Sequence, residues 1–449
     1  MGVERAGPRD AERGTPSGEQ PQDSNTGGGS EGGLVSRAFS AMRDRNFRLL
    51  YLGNMLQFGA QQMQLLVRGL IVYQLTGSFA LLGSIALASA VPGLLLSPVG
   101  GVMADRMTKK TIIQLAQGFN AVNAALLALL AWGGIPGFHL ELWHLFLSAV
   151  LQGGVNSMMM PSRQSMISDL VGPKRLMNAV AVNSSGQTLM QLIGPAVGGV
   201  LYDYLSAASV FWTMAVMFTL AVTFTMRLPA HPLYSFDRNA EGAPPRRARN
   251  HGSLSDVADG MIYVWRNPVL RALIGVNFLI VVVAMPYTML LAGFVEAVLH
   301  KGGAEIGLLQ SVQGVGAILG SFIIASSSPR GRGKMMIFWG AFVGVSLIAF
   351  AASSNYWLTM AIMFVVGIGQ TGRMAIGQVL IQTYAADEYR GRVTAVWFMQ
   401  FSLVQLGTFF VGILAEVLGP QWAIGGLAAL MVVTMGFVWV FVPRIRNLE

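Results

Sequence analysis

The chain is 449 residues long, 53% hydrophobic and only 11% charged, with a formal net charge of +9 and no cysteine. A soluble domain carries about 25% charged residues, so these proportions exclude an ordinary soluble fold and make the bilayer the solvent. The missing cysteine excludes disulfides, thiolate metal ligands and a cysteine nucleophile. The five histidines form no His-Glu-x-x-His, and the Gly-Arg-Gly-Lys-Met-Met at 331–336 lacks the Ser/Thr and upstream Gly of a phosphate loop, so zinc, ATP or any other cofactor is not expected.

Residues 1–35 are rich in Gly, Ser, Pro, Glu and Asp, with too little apolar surface to fold and no apolar centre to act as a signal peptide. Together with a short lead-in they form an expected disordered cytoplasmic tail over 1–46. A membrane helix needs about 20 apolar residues. Hydropathy predicts twelve: 47–74, 79–103, 110–132, 141–168, 177–202, 207–227, 269–299, 304–327, 334–352, 356–384, 393–417 and 421–442. The connections are short except for 228–268, which reads as a cytoplasmic linker between a six-helix bundle at 47–227 and a second at 269–443, followed by a cytoplasmic terminus at 444–449. The expected fold is therefore an all-α integral membrane protein of twelve helices in two halves. The segments 153–180 and 367–396 share a pattern of a Gly-bearing span, an internal Arg, a Gln and a charged exit, offset by roughly 214 residues, as in transporters built from repeats.

Charge supports this topology. Of 30 Lys and Arg, 26 fall in the loops after even-numbered spans, in the termini or at the adjoining cytoplasmic ends of spans, one (Lys301) in the loops after odd-numbered spans, and three (Arg68, Arg163, Arg373) deeper inside spans. Basic residues stay on the cytoplasmic side, which places both termini and the central linker inside a plasma membrane, read as a bacterial inner membrane. Topology and anionic headgroups account for the positive charge, and no nucleic-acid partner is needed.

Polar groups inside the spans mark candidate substrate contacts. Asn54, Gln57, Gln61 and Gln64 form one stripe on the first span, followed by Arg68. An intramembrane charge costs about 2.5–3.5 kcal/mol unless it snorkels or finds a polar cavity; Arg68 is near enough to the outer boundary for its stem to reach the headgroups, and a cavity role is the alternative. Arg163, near the inner surface, is expected to pair with Asp169. Arg373 lies past the middle of its span with no acid nearby, and joins Asn277 and Gln378 as a candidate cavity residue. No carboxylate sits at mid-membrane: Asp203, Glu296, Glu305 and Glu416 are near outer ends. On the fifth span, Gly194, Gly198 and Gly199 are expected to share a face for close packing, and Pro195 to bend the helix.

Residues 100–110 read Gly-Gly-Val-Met-Ala-Asp-Arg-Met-Thr-Lys-Lys. This stretch resembles the loop between the second and third helices of the major facilitator superfamily, with Lys109 and Lys110 in the basic slots. Twelve spans in two halves fit that superfamily along about 400 residues. The resemblance implies a latch of Gly101, Asp105, Arg106, Lys109 and Lys110, in which Asp105 meets the start of the eleventh helix near Gly391 and Arg392, and Lys109 or Lys110 meets Asp169. It also implies that the first, seventh and tenth helices line the cavity. Gly194-Pro195-x-x-Gly198-Gly199 resembles the superfamily's antiporter motif on the fifth helix, which implies export. Residues 68–78 (RGLIVYQLTGS) and 161–171 (PSRQSMISDLV) resemble a bacterial efflux branch that includes siderophore exporters and macrolide or drug pumps. One departure stands out: the fourth-helix Arg of the superfamily would fall at Ala149, and that Arg is tied to proton coupling in drug antiporters.

The expectation is a monomeric, non-enzymatic secondary transporter that exports a small organic substrate by alternating access, with protons as the coupling partner and the lipid bilayer as its medium. An importer or facilitator of the same fold, or a non-transporting membrane sensor or scaffold, is the alternative reading.

Overall fold

The computed structural model describes residues 40–133, 139–230, 233, 253–327, 331–386 and 388–448; side chains at 97–106, 173–174, 253–257 and 395 fall outside the description, as does the expected N-terminal tail before residue 40. The described residues are helical throughout, joined by short turns.

The first half comprises α1 (Arg45–Thr76), α2 (Phe79–Arg106), α3 (Lys109–Trp132), α4 (Leu142–Leu170), α5 (Pro173–Tyr204) and α6 (Ala207–Met226). Local chemistry sets the ends. Asp44 accepts from the backbone of Asn46 and Phe47 to start α1, and Gly77, at φ 63°, stops it in the left-handed conformation that glycine adopts without a Cβ penalty. Thr108 and Ser206 cap α3 and α6 in the same way. The second half comprises α7 (Ser253–Arg266), α8 (Pro268–Ala284), α9 (Tyr287–Leu299), α10 (Gly303–Ala325), α11 (Arg332–Ala352), α12 (Tyr356–Tyr384), α13 (Arg390–Phe398), α14 (Gln400–Leu418) and α15 (Pro420–Phe441), with a last turn α16 (Pro443–Arg446).

Helices thus lie over all twelve expected ranges. Two spans are broken rather than continuous: α8 and α9 part at Met285–Pro286, where proline removes a backbone donor, and α13 and α14 part at Met399. Among the described residues nine helical stretches are long and apolar enough to cross a membrane. The three that fall short, α1, α4 and α5, pack against one another and bury Asn54, Gln57, Gln64 and Gln152. Those four amides face other helices in place of lipid.

Packing repeats in the two halves. In the first, α2 lies on α4, α3 on α6 and α1 on α5; in the second, α10 lies on α12, α11 on α15 and the α8 span on α14. The halves meet along α5–α10 and α2–α14. A Cβ on Gly199 would run into the carbonyl oxygen of Gly303, and one on Gly83 would lie 2.7 Å from that of Thr408; glycine at these places lets the helices approach to backbone contact. The glycines of α5 do not share one face as expected. Gly194 and Gly198 pack on Gly59, Gln62 and Met63 of α1, whereas Gly199 and the Pro195 carbonyl pack on α10. The helix serves two neighbours, one in each half.

The sequence reading of 228–268 as linker missed α7. This amphipathic helix lies against α13: Tyr263 stacks on Tyr389 at 4.2 Å, Gly260 abuts the Arg392 carbonyl, and Met261, Ile262 and Trp265 remain exposed.

Candidate functional site

The ends of the bundle differ in charge. The end that carries the loops after α2, α4, α6 and α10 is basic, and the other carries Glu141, Asp203, Glu296, Glu305 and Glu416. We refer to them as the basic and acidic ends.

At the acidic end two carboxylates bind helix N-termini across the boundary between the halves. Glu416, at the end of α14, accepts from the backbone N–H of Phe79 (2.6 Å) and Ala80 (3.3 Å) at the start of α2, and from the Ser78 hydroxyl at 3.1 Å. Asp203, at the end of α5, accepts from Gly303 N–H (2.9 Å) and Ala304 N–H (2.6 Å) at the start of α10. The first four N–H groups of a helix have no partner within it and carry its positive dipole end, so each carboxylate meets both a charge and a set of donors. The two clamps are equivalent under exchange of the halves. Another bond across the boundary runs from Ser311 Oγ to the Leu192 carbonyl at 2.5 Å, in the acidic-end half of α10.

Within each half a buried arginine is held by amides. Arg163 on α4 donates from Nε to Asn54 Oδ1 (3.0 Å), and Asn54 Nδ2 donates to Asn183 Oδ1 (2.9 Å) on α5. Arg373 on α12 donates to Asn277 Oδ1 (2.9 Å), and Asn277 Nδ2 donates to Gln400 Oε1 (3.3 Å) on α14. All four Arg and Asn residues are buried. The repeat maps α4 onto α12, α1 onto α8 and α5 onto α14, so the two triads occupy corresponding places. Arg163 does not pair with Asp169 as the sequence suggested: the nearest acid in the chain is not the nearest acceptor in space, because the long side chain turns inward to α1.

Arg68 also turns inward and does not snorkel. Its guanidinium donates to Gln152 Oε1 at 2.5 Å and Ser148 Oγ at 3.4 Å on α4, and Gln152 in turn donates to Gln64 Oε1 at 2.8 Å. Gln61 donates to Asn156 at 3.4 Å, and Gln57 is fully buried with both amide atoms lacking a protein partner. Gln378 is exposed and stands apart from Arg373. Arg68 lines a cavity of about 80 Å³ between the halves, walled by Leu65, Leu82, Ile85 and Ala86 from α1 and α2, and by Met289 and Gln405 from α9 and α14.

At the basic end, Lys109 Nζ is 2.7 Å from Asp169 Oδ2. Lys110 Nζ donates to the Met226 and Leu228 carbonyls at 2.9 and 2.6 Å, capping the C-terminus of α6. Arg392 sits 3.6 Å from Asp259 of α7. The side chains of Gly101's neighbours Asp105 and Arg106 lie outside the described residues, so the expected contact of Asp105 with the start of α13 does too. Sequence reasoning placed Asp203 and Glu416 only as carboxylates near outer ends; nothing in a sequence marks a backbone N–H as their partner. Asn183 went unnoticed, although its spacing from Gly194 and Gly198 on α5 was readable.

The comparisons agree with this architecture. Residues 36–449 match the family model described as transmembrane secretion effector. The multidrug efflux pump Tap of Mycobacterium tuberculosis is 24% identical over 388 residues, covering 84% of this chain and 89% of Tap. The staphyloferrin A transporter of Staphylococcus aureus is 23% identical over 398 residues, covering 87% of this chain and 94% of that protein. A bacterial homologue of the iron transporter ferroportin, solved in an inward-facing state, has the same fold, with a TM-score of 0.68 at 16% identity over 89% of this chain and 98% of that one. On the extent of the family match, the chain belongs to the transmembrane secretion effectors of the major facilitator superfamily, and is a multi-pass membrane transporter and not an enzyme.

Proposed function

We propose that the chain exports small organic molecules (drug-like compounds, siderophores or metabolites) from a bacterial cell by alternating access, with both termini in the cytoplasm. The observation that carries this reading is the pair of clamps between the halves at the acidic end, at Glu416 and Asp203, with the Ser311 bond in the acidic-end half of α10. With the basic loops inside, this arrangement supports a carrier in its state closed to the outside. The names of the relatives, an efflux pump and a siderophore transporter, support export of organic solutes.

In the opposite state the basic end closes, and the latch of Gly101, Asp105, Arg106, Lys109, Lys110, Asp169 and Arg392 is the device we assign to it. Protons are the proposed counter-ion, with the carboxylates of the acidic end as the groups that take them. The α5 motif of Gly194, Pro195, Gly198 and Gly199 supplies the close-packed seam on which the halves rock.

The test is retention of a fluorescent amphiphile in an efflux-deficient bacterium. The chain lowers retention; Asp105→Asn inserts normally and restores it. Export by that variant equal to the parent would remove the latch, and unchanged retention of every amphiphile by the parent would remove export. Flux in proteoliposomes with and without a pH gradient decides the coupling.

A further inference from the structure

The charges inside the bundle are of one sign. Arg68, Arg163 and Arg373 are the charged residues within the spans away from their ends, and neither ion pair found among the described residues, Lys109–Asp169 or Arg392–Asp259, involves them. Arg163 and Arg373 are each held within their own half by an asparagine, and both are buried. Arg68 differs in that it lines the cavity between the halves. Its protein partners are fewer than its donors: Gln152 and Ser148 take one nitrogen, while Nε is buried with no protein partner. Across the same cavity Gln405, from the other half, presents a buried Oε1 that also has no protein partner. The remaining wall is mainly apolar, from Leu65, Leu82, Ile85 and Met289, and the Ser89 hydroxyl donates to the Ala86 carbonyl at 2.8 Å.

A guanidinium with a spare N–H, an amide oxygen opposite and an apolar surround make a specific recognition site. The donor fork of arginine matches the two oxygens of a carboxylate, and the amide oxygen takes a hydroxyl or N–H beside it. Away from water the attraction is strong for an anion, and the same three guanidinia repel a cation. The cavity has room for an acid group and a few carbons, so the apolar body of the molecule extends from it toward the basic end.

We propose that the Arg68–Gln405 cavity seats the acidic group of the transported molecule, so that the substrate is a carboxylate-bearing amphiphile and not an organic cation. The proposal rests on the export reading. Because the seat is made by both halves, bound anion bridges them, and release follows when they separate.

Three matched probes test this on the purified full chain: 1-pyrenebutyrate, its uncharged methyl ester and the cation 1-pyrenemethylammonium. Binding is read by energy transfer from the nine tryptophans, and transport by flux in proteoliposomes. The acid is expected to bind about tenfold or more tighter than the ester, the gain from one charge-assisted hydrogen bond, and the cation weakest. Arg68→Gln abolishes the preference for the acid, and Arg68→Lys keeps most of it. Melting without probe reports folding; where Arg68→Gln does not fold, Gln405→Leu, which lowers acid binding, and Arg68→Lys still decide the matter. Equal binding of acid and ester, tighter binding of the cation, or an acid preference that survives Arg68→Gln overturns the seat while leaving export in place. If none of the three binds or moves, the export reading falls and the seat with it.

Discussion

Glu416 and Phe79 lie 337 residues apart in the chain, yet the Glu416 carboxylate accepts the Phe79 backbone N–H at 2.6 Å. With its counterpart at Asp203 and Gly303, this bond fastens the acidic end. Each carboxylate is exposed to solvent, which limits each clamp to about 0.5–1 kcal/mol. Glu416→Gln with Asp203→Asn should therefore shift the population roughly five- to thirtyfold toward opening at that end. The chain has no native cysteine, so Ser89→Cys in the cavity wall gives a single reporter. Its labelling by an impermeant maleimide from the acidic side should rise in the double variant; an unchanged rate would mean that the clamps do not hold the closed state.

The glycine seam of α5 makes a second prediction. Gly199→Val sets a branched Cβ against the Gly303 carbonyl. Overpacking of this kind costs about 1–3 kcal/mol, all of it in the state where α5 and α10 touch. Transport should fall about tenfold, with maleimide access from the acidic side increased. Gly426→Ala, where an added Cβ meets nothing within 4 Å, should transport like the parent.

Much of the architecture was readable from hydropathy and charge, because a helix exposed to lipid must be apolar for its whole length and a basic loop must stay inside. The breaks at Met285–Pro286 and Met399 were not, since both halves of each span remain apolar; only Pro286 hinted at the first. α7 was hidden by its polar neighbours, although Leu254, Val257, Met261, Val264 and Trp265 recur at helical spacing. The candidate site was legible in kind but not in pairing. Polarity picked out Asn54, Arg68, Asn277 and Arg373, but partners 80 to 129 residues away cannot be matched from a single chain. Arg163 shows the failure: proximity in sequence suggested Asp169, and the fold delivered Asn54.

The duplicated triads predict matched losses. Removing Asn54 or Asn277 leaves a buried guanidinium short of an acceptor, a cost of about 1.5–3 kcal/mol. Asn54→Leu and Asn277→Leu should lower the melting midpoint by similar amounts. They lie in different halves and share no partner, so the double variant should show the sum to within about 0.5 kcal/mol. A strongly unequal pair would show that the two halves are not energetically equivalent.

The Lys109–Asp169 pair should behave in the opposite manner. With side chains 38% and 23% exposed, it is worth about 0.2–1 kcal/mol to folding. Asp169→Asn should leave the melting midpoint nearly unchanged but reduce amphiphile efflux, and exchanging the two residues should restore efflux. Loss of folding and efflux together would make the pair a structural brace only.

Both clamps at the acidic end grip main chain, and the Ser78 hydroxyl is the one side-chain donor beside them among the described residues. A receiving helix can therefore exchange the half-buried Ala80 or Ala304 for other residues and keep the bond, since every amino acid but proline brings the same donor. Over generations the donors of the closure survive drift in the receiving helices, and its charge depends on the two acids.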